Sequence, residues 1–93
     1  MTDTTTYTAK GRLDATNAAT VETELLALLG SGGGQLQLDL AGLDYISSAG
    51  LRVLLVVAKA AKAKGGKLSL RAPQPQVLEV IRISGFDRIL PIV

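Results

Sequence analysis

Histidine and cysteine are both absent from these 93 residues. Without histidine the chain has no imidazole to serve as general base or metal ligand, and no Ser-His-Asp triad. Without cysteine there can be no disulfide and no thiol chemistry, which fits a reducing, cytoplasmic location. Aromatics are scarce: two Tyr, one Phe and no Trp. Any core is therefore built from Leu, Val, Ile and Ala. No apolar run approaches the roughly 18 residues of a membrane span, since Arg52 and Lys59 interrupt the longest. The opening MTDTTTYT has neither a basic start nor an apolar centre, so it does not read as a signal peptide. Net charge is only +2, with Lys59, Lys62, Lys64 and Lys67 grouped together. Without interleaved aromatics they do not make a nucleic-acid patch. Near a helix C-terminus lysines are favourable for dipole reasons alone. The expectation is a protein with no cofactor, no metal, no nucleic-acid partner and no membrane.

What is present suffices for one small domain over residues 1–93. Residues 1–6 read as a frayed tail. Tyr7 to Leu13 alternates and reads as a strand. Asp14 to Asn17 supplies turn and cap residues, and Ala18, Val21, Leu25 and Leu28 then follow helical spacing. The glycine-rich run Gly30 to Gly34 ends that helix as a flexible connection. Its order of helix, glycines and strand, with no Gly-Lys-Ser/Thr, is wrong for a phosphate loop. Leu36, Leu38 and Leu40 alternate with Gln37 and Asp39 as a second strand, followed by a loop from Ala41 to Ile46. A long apolar helix, about 49–64, comes next. Gly65-Gly66 stops it, and Lys67 to Ala72 alternates as a third strand. Pro75 opens a third helix, in which Val77, Val80, Ile81 and Ser84 share a face. Gly85 suits a left-handed close, with Phe86 folding back on Ile81. Ile89 to Val93 reads as a short fourth strand, pushed to an edge by Pro91.

The order β-α-β-α-β-α-β predicts a two-layer α/β domain with a mostly parallel four-stranded sheet. The alternation in its strands places all three helices on one face. Lys10, Arg12, Gln37, Asp39, Ser69 and Arg71 are left on the open one. That polar face demands no partner, so the chain alone is expected to be a monomer.

The centre of the sequence is Asp39 to Leu55, DLAGLDYISSAGLRVLL. Ser47 and Ser48 stand where the first helical N–H groups lack intrahelical partners and the helix dipole favours negative charge. Gly50 leaves the first turn without side-chain bulk, so another molecule could approach the backbone. Two readings follow. A serine here is an N-cap, or it is a hydroxyl that becomes phosphorylated with the helix end stabilising the phosphate. Spacing leaves both open. A hydrolase is a distant third reading: with Ser48 as nucleophile, the first glycine of G-x-S-x-G is Ile46, and the loop offers no obvious base. The chain is not expected to be an enzyme.

The run LDYISSAGLRVLL resembles the signature of STAS domains, specifically the stand-alone anti-sigma factor antagonists. The resemblance extends back to GRLDATN (Gly11 to Asn17) and forward to GGKLSL (Gly65 to Leu70) and ISGFDRILPI (Ile83 to Ile92). It implies a STAS-like fold and a partner-switching phosphoprotein. The free form would bind an anti-sigma-type serine protein kinase, phosphorylation would release it, and a metal-dependent serine phosphatase would reset it. The family pattern puts the phosphoacceptor at Ser48, with Ser47 as second choice where many members have Asp and Ala49 where many have a second Ser. The implied partner-binding set is Asp14, Thr16, Asn17, Asp44, Ser47, Ala49 and Gly50. Asp14 and Asp44 each have a second reading, as a local cap. The alternative function is a phosphorylation-independent STAS scaffold in a transporter or sensory complex. Members often carry an extra N-terminal strand and a helix after the last strand; neither is read here, so a short form is expected.

Overall fold

The computed structural model describes residues 4–31 and 34–93. Residues 1–3 of the expected tail, and 32 and 33 of the glycine run, lie outside the described residues. The elements are β1 (Thr5–Leu13), α1 (Ala18–Ser31), β2 (Gln35–Ile46), α2 (Ser48–Ala63), β3 (Lys67–Arg71), α3 (Pro75–Ile83) and one 3₁₀ turn (Phe86–Arg88). The sheet runs in the order β1-β2-β3 with both pairs parallel, as one-directional right-handed crossovers require. Thr5 and Thr6, expected in the frayed tail, pair with Leu36 and Gln37.

The fourth strand is reduced to a single parallel bridge between Leu70 and Ile92. The Leu70 N–H donates to the Pro91 carbonyl at 2.8 Å, and the Val93 N–H donates to the Leu70 carbonyl at 2.8 Å. Pro91 has no N–H to extend the ladder. Gly85, at φ +78, takes the left-handed conformation expected of it and leads into the 3₁₀ turn. Phe86 packs against the core.

The largest departure lies in β2. Residues Ala41 to Ile46, expected as a loop, continue the strand for 12 residues in all. Thr8 pairs with Asp39 and Leu13 with Ile46, and the register slips twice between them, so β2 uses two more residues than β1 over one stretch. These are bulges. They change the spacing of the buried side chains: Leu36, Leu38 and Leu40 alternate, and Leu43 and Ile46 follow at intervals of three. A search for period two stops at Leu40 for that reason.

Leu13, Leu25, Leu38, Leu40, Leu43, Leu54, Leu70 and Ile81 are fully buried and join the sheet to all three helices. Each such side chain stabilises the fold by about 1.5–3 kcal/mol relative to exposure. On the opposite face Lys10, Arg12 and Arg71 are exposed and Asp39 is half-buried. Arg71 Nη1 pairs with Asp39 Oδ2 at 3.2 Å. Ser69 departs from the expected open face in being buried, as a short side chain on a strand flanked on both sides. Gly34 is also buried, and its backbone lies so close to Gly66 that a methyl on Gly66 would overlap it. The end of the glycine run is thus fixed where α2 gives way to β3, rather than loose.

Candidate functional site

The site lies where the C-terminal ends of β1 and β2 meet the N-terminus of α2. The Ser47 N–H donates to the Leu13 carbonyl at 3.0 Å, tying the start of the helix to the end of β1. Ser47 is the N-cap: its backbone is extended (φ −98, ψ 177), and its Oγ accepts from the Gly50 N–H at 3.3 Å. Its carbonyl accepts from the Leu51 N–H at 2.9 Å. The Ser47 hydroxyl is thus engaged in holding the helix. Ser48, the first residue of α2, is exposed and makes no side-chain hydrogen bond among the described residues. One serine caps and the other is presented.

The first turn of α2 contains no acidic residue. Nothing there opposes added negative charge, and the free N–H groups favour it. Arg52 is exposed one helical turn beyond Ser48, within reach of an i,i+4 pair. Ala49 is half-buried.

Gly50 has a packing role within the fold. It is buried, and a methyl on its Cα would meet the Leu13 carbonyl oxygen at 2.7 Å, Ile46 Cγ1 at 2.8 Å and Leu13 Cγ at 2.9 Å. The close approach that requires glycine within the fold is to Leu13 of β1 and Ile46 of β2. Gly50 lets α2 seat directly on the strand end.

Asp14, Thr16 and Asn17 form one hydrogen-bonded turn. Asp14 Oδ1 accepts from the Thr16 N–H at 3.0 Å and from Thr16 Oγ1 at 2.5 Å, while Oδ2 accepts from Arg12 Nε at 3.1 Å. Hydrogen bonds from Thr16, and then from Arg12, hold the Asp14 carboxyl below the usual carboxylate value. Asn17 Oδ1 accepts from the Asp14 N–H at 2.9 Å, and its Nδ2 donates to the Arg12 carbonyl at 2.7 Å. Both Asp14 oxygens already have donors, Thr16 in the turn and Arg12 at the end of β1, and neither serine is among them. The Asp14 carbonyl also accepts from the Ala18 N–H at 2.9 Å, so the turn leads into α1 as a cap does.

Asp44 is exposed, and its carbonyl accepts from Gln76 Nε2 at 3.3 Å. Gln74 Nε2 donates to the Ala41 carbonyl at 2.7 Å, and Gln76 Nε2 also lies 2.7 Å from Gln74 Oε1. This glutamine pair secures the start of α3 to the part of β2 that extends past β3. Sequence reading passed over Gln74 and Gln76, because nothing in their spacing pointed to β2. It also passed over Tyr45, whose ring lies under the Arg12 guanidinium at 4.5 Å from its centroid. The structure thus gathers Asp14, Thr16, Asn17, Asp44, Ser47, Ser48 and Ala49 at one end of the sheet, with Gly50 facing inward. Among the described residues no group of His, Cys, Asp or Glu could hold a metal ion. No described helix is long and apolar enough to cross a membrane.

The class of protein follows from comparison with known families. The chain belongs to the STAS domain family, matching over residues 2–92 the family described as "Mlab, STAS domain". BtrV of Bordetella bronchiseptica, named for anti-sigma factor antagonism, is 47% identical over 83 residues, covering 89% of this chain and 72% of BtrV. The fold is similar to that of TM1081 from Thermotoga maritima, with TM-score 0.89, 24% identity, and coverage of 96% of this chain and 77% of that one. It is also similar to the Bacillus anti-sigma factor antagonist SpoIIAA. The unphosphorylated form matches with TM-score 0.84 and 19% identity, covering 100% of this chain and 82% of that one. The phosphorylated form matches with TM-score 0.74 and 18% identity, covering 100% and 85%. At such identities these structures speak for the fold.

Proposed function

We propose that this chain is an anti-sigma factor antagonist that works by partner switching. Its unphosphorylated form binds an anti-sigma-type serine kinase, and phosphorylation of Ser48 releases it. The observation that carries this reading is the division of labour between the serines: Ser47 Oγ is engaged by the Gly50 N–H, while the Ser48 hydroxyl stands exposed on the first residue of α2. A substrate of phosphoryl transfer need only present its hydroxyl, since the kinase brings ATP, Mg²⁺ and the base. The name of BtrV and the existence of a phosphorylated SpoIIAA support the same assignment.

The switch is electrostatic. A phosphate adds about −1.5 to −2 charge at the helix terminus. Within the domain that charge meets the helix dipole and Arg52, so the fold need not rearrange. At an interface the same charge brings repulsion or an uncompensated loss of hydration, and the complex dissociates. A metal-dependent serine phosphatase would restore the binding form.

The test is incubation of the chain with ATP and an anti-sigma-type kinase from the same genome, followed by intact mass and site mapping. One phosphate on Ser48, absent in Ser48→Ala and weakening the complex, is the expected result. No phosphate with a kinase active on another substrate would remove that pairing. Phosphate on Ser47 would keep the switch and move it by one residue.

A further inference from the structure

A second feature of this end of the sheet plays no part in presenting Ser48. Gly11 pairs with Leu43, and the next pair is Arg12 with Tyr45. In uninterrupted register Arg12 would face Asp44, an ordinary cross-strand ion pair. The extra residue in β2 replaces that acid with an aromatic ring, over which the Arg12 guanidinium sits at 4.5 Å. Bulges in sheets often serve to re-aim a side chain.

The re-aimed ring is left partly exposed by the fold. Tyr45 is 45% exposed and is the only aromatic among the exposed large apolar residues described. Its hydroxyl has no hydrogen-bond partner among the described residues. The other members of that group, Ile83, Ile89, Ile92 and Val93, lie in α3 and beyond it. Arg12 is held in place without being used up. Only its Nε is engaged, by Asp14 Oδ2 at 3.1 Å, while Thr16 fixes Asp14 in turn. The terminal nitrogens of Arg12 stay free to meet acceptors. Tyr45 stands three residues before Ser48, and the Leu13 carbonyl, next to Arg12, receives the Ser47 N–H.

We infer that the stacked pair of Arg12 and Tyr45 is the anchor by which the kinase grips this chain, beside Ser48 but separate from the phosphoryl-transfer chemistry. This inference rests on the kinase-partner reading. Tyr and Arg are the residue types that concentrate binding energy at interfaces. A pair already stacked and pinned loses little side-chain freedom on docking. The matching surface on the kinase is an apolar slot for the ring, rimmed by carbonyl or carboxylate oxygens for the Arg12 nitrogens. Tyr45 and Arg12 thus set affinity and partner choice, and Ser48 reports the switch.

The test measures kcat and KM for Ser48 phosphorylation by the kinase, together with the affinity of the unphosphorylated complex by calorimetry. Tyr45→Ala is expected to raise KM and weaken binding about tenfold or more, with kcat within about twofold of the parent. Tyr45→Phe keeps the ring and should restore most of the affinity. Arg12→Ala should weaken binding less, and the double variant little more than Tyr45→Ala alone, because the two act as a unit. Ile83→Ala, which trims another exposed apolar residue, should change nothing. Unchanged affinity in Tyr45→Ala, or a fall in kcat at constant KM, overturns the inference while leaving the kinase reading intact. If the parent chain neither binds nor is phosphorylated, the kinase reading falls and the anchor with it. Thermal denaturation of each variant separates lost contact from lost fold.

Discussion

Gly50 lies against Leu13 so closely that a methyl on its Cα would stand 2.7 Å from the Leu13 carbonyl oxygen. That carbonyl also accepts the Ser47 N–H, so the packing contact and the hydrogen bond fix the helix start on the same strand residue. Gly50→Ala tests how tightly the two are joined. Helix propensity alone favours alanine by about 1 kcal/mol. The overlap with β1 and Ile46 opposes it, and overpacking of this kind costs about 1–3 kcal/mol. A net loss of stability in urea denaturation is expected, with amide shifts at Ser47 and Ser48. A gain would mean that α2 can slide off β1 without cost.

The serines should separate cleanly in stability measurements. Ser47→Ala removes the cap and is expected to cost about 1 kcal/mol. Ser48→Ala removes an exposed hydroxyl and should stay within about 0.5 kcal/mol of the parent. Chemical denaturation of both variants checks this. Equal losses would contradict the division between capping and presentation.

Alkaline pH probes the contact between β1 and α1. The Tyr7 hydroxyl donates to Glu24 Oε1 at 2.6 Å. Burial, and then the Glu24 carboxylate, push the Tyr7 pKa from 10.0 to about 12. Between those values the unfolded chain has lost the proton and the folded one has kept it, so stability falls as pH rises through that window. Below about pH 10 the contribution is fully present. Thermal denaturation across the window should show a smaller decline in Tyr7→Phe than in the parent. In a Tyr45→Phe background, the ultraviolet absorbance of tyrosinate reports Tyr7 alone and should rise near pH 12.

Much of the fold was legible in local patterns. The strand ending at Leu13, the turn at Asp14 to Asn17, the proline opening α3 and the glycines after α2 each have a signal in the adjacent residues. One-directional strand order followed from crossover handedness and from alternation that leaves one face polar. The second half of β2 was not legible. Its bulges spaced Leu40, Leu43 and Ile46 by threes, and their register is set by pairing with β1 rather than by anything within β2. The fourth strand failed differently: Ile89 to Val93 has strand composition, but Pro91 leaves it a single bridge.

The candidate site divides along the same line. The sequence by itself determined that a serine pair stands at the head of an apolar helix, after a strand. Those are properties of neighbours in the chain, and helix ends are governed by neighbours. Only the tertiary structure decided which hydroxyl is engaged, that Gly50 faces Leu13, that both Asp14 oxygens are committed, and that Arg12 lies over Tyr45. Apart from the cap itself, these join or orient residues according to how β1, β2 and α2 converge. Side-chain direction at that junction is set by two bulges and one close helix-to-strand contact, which are packing solutions and not local preferences.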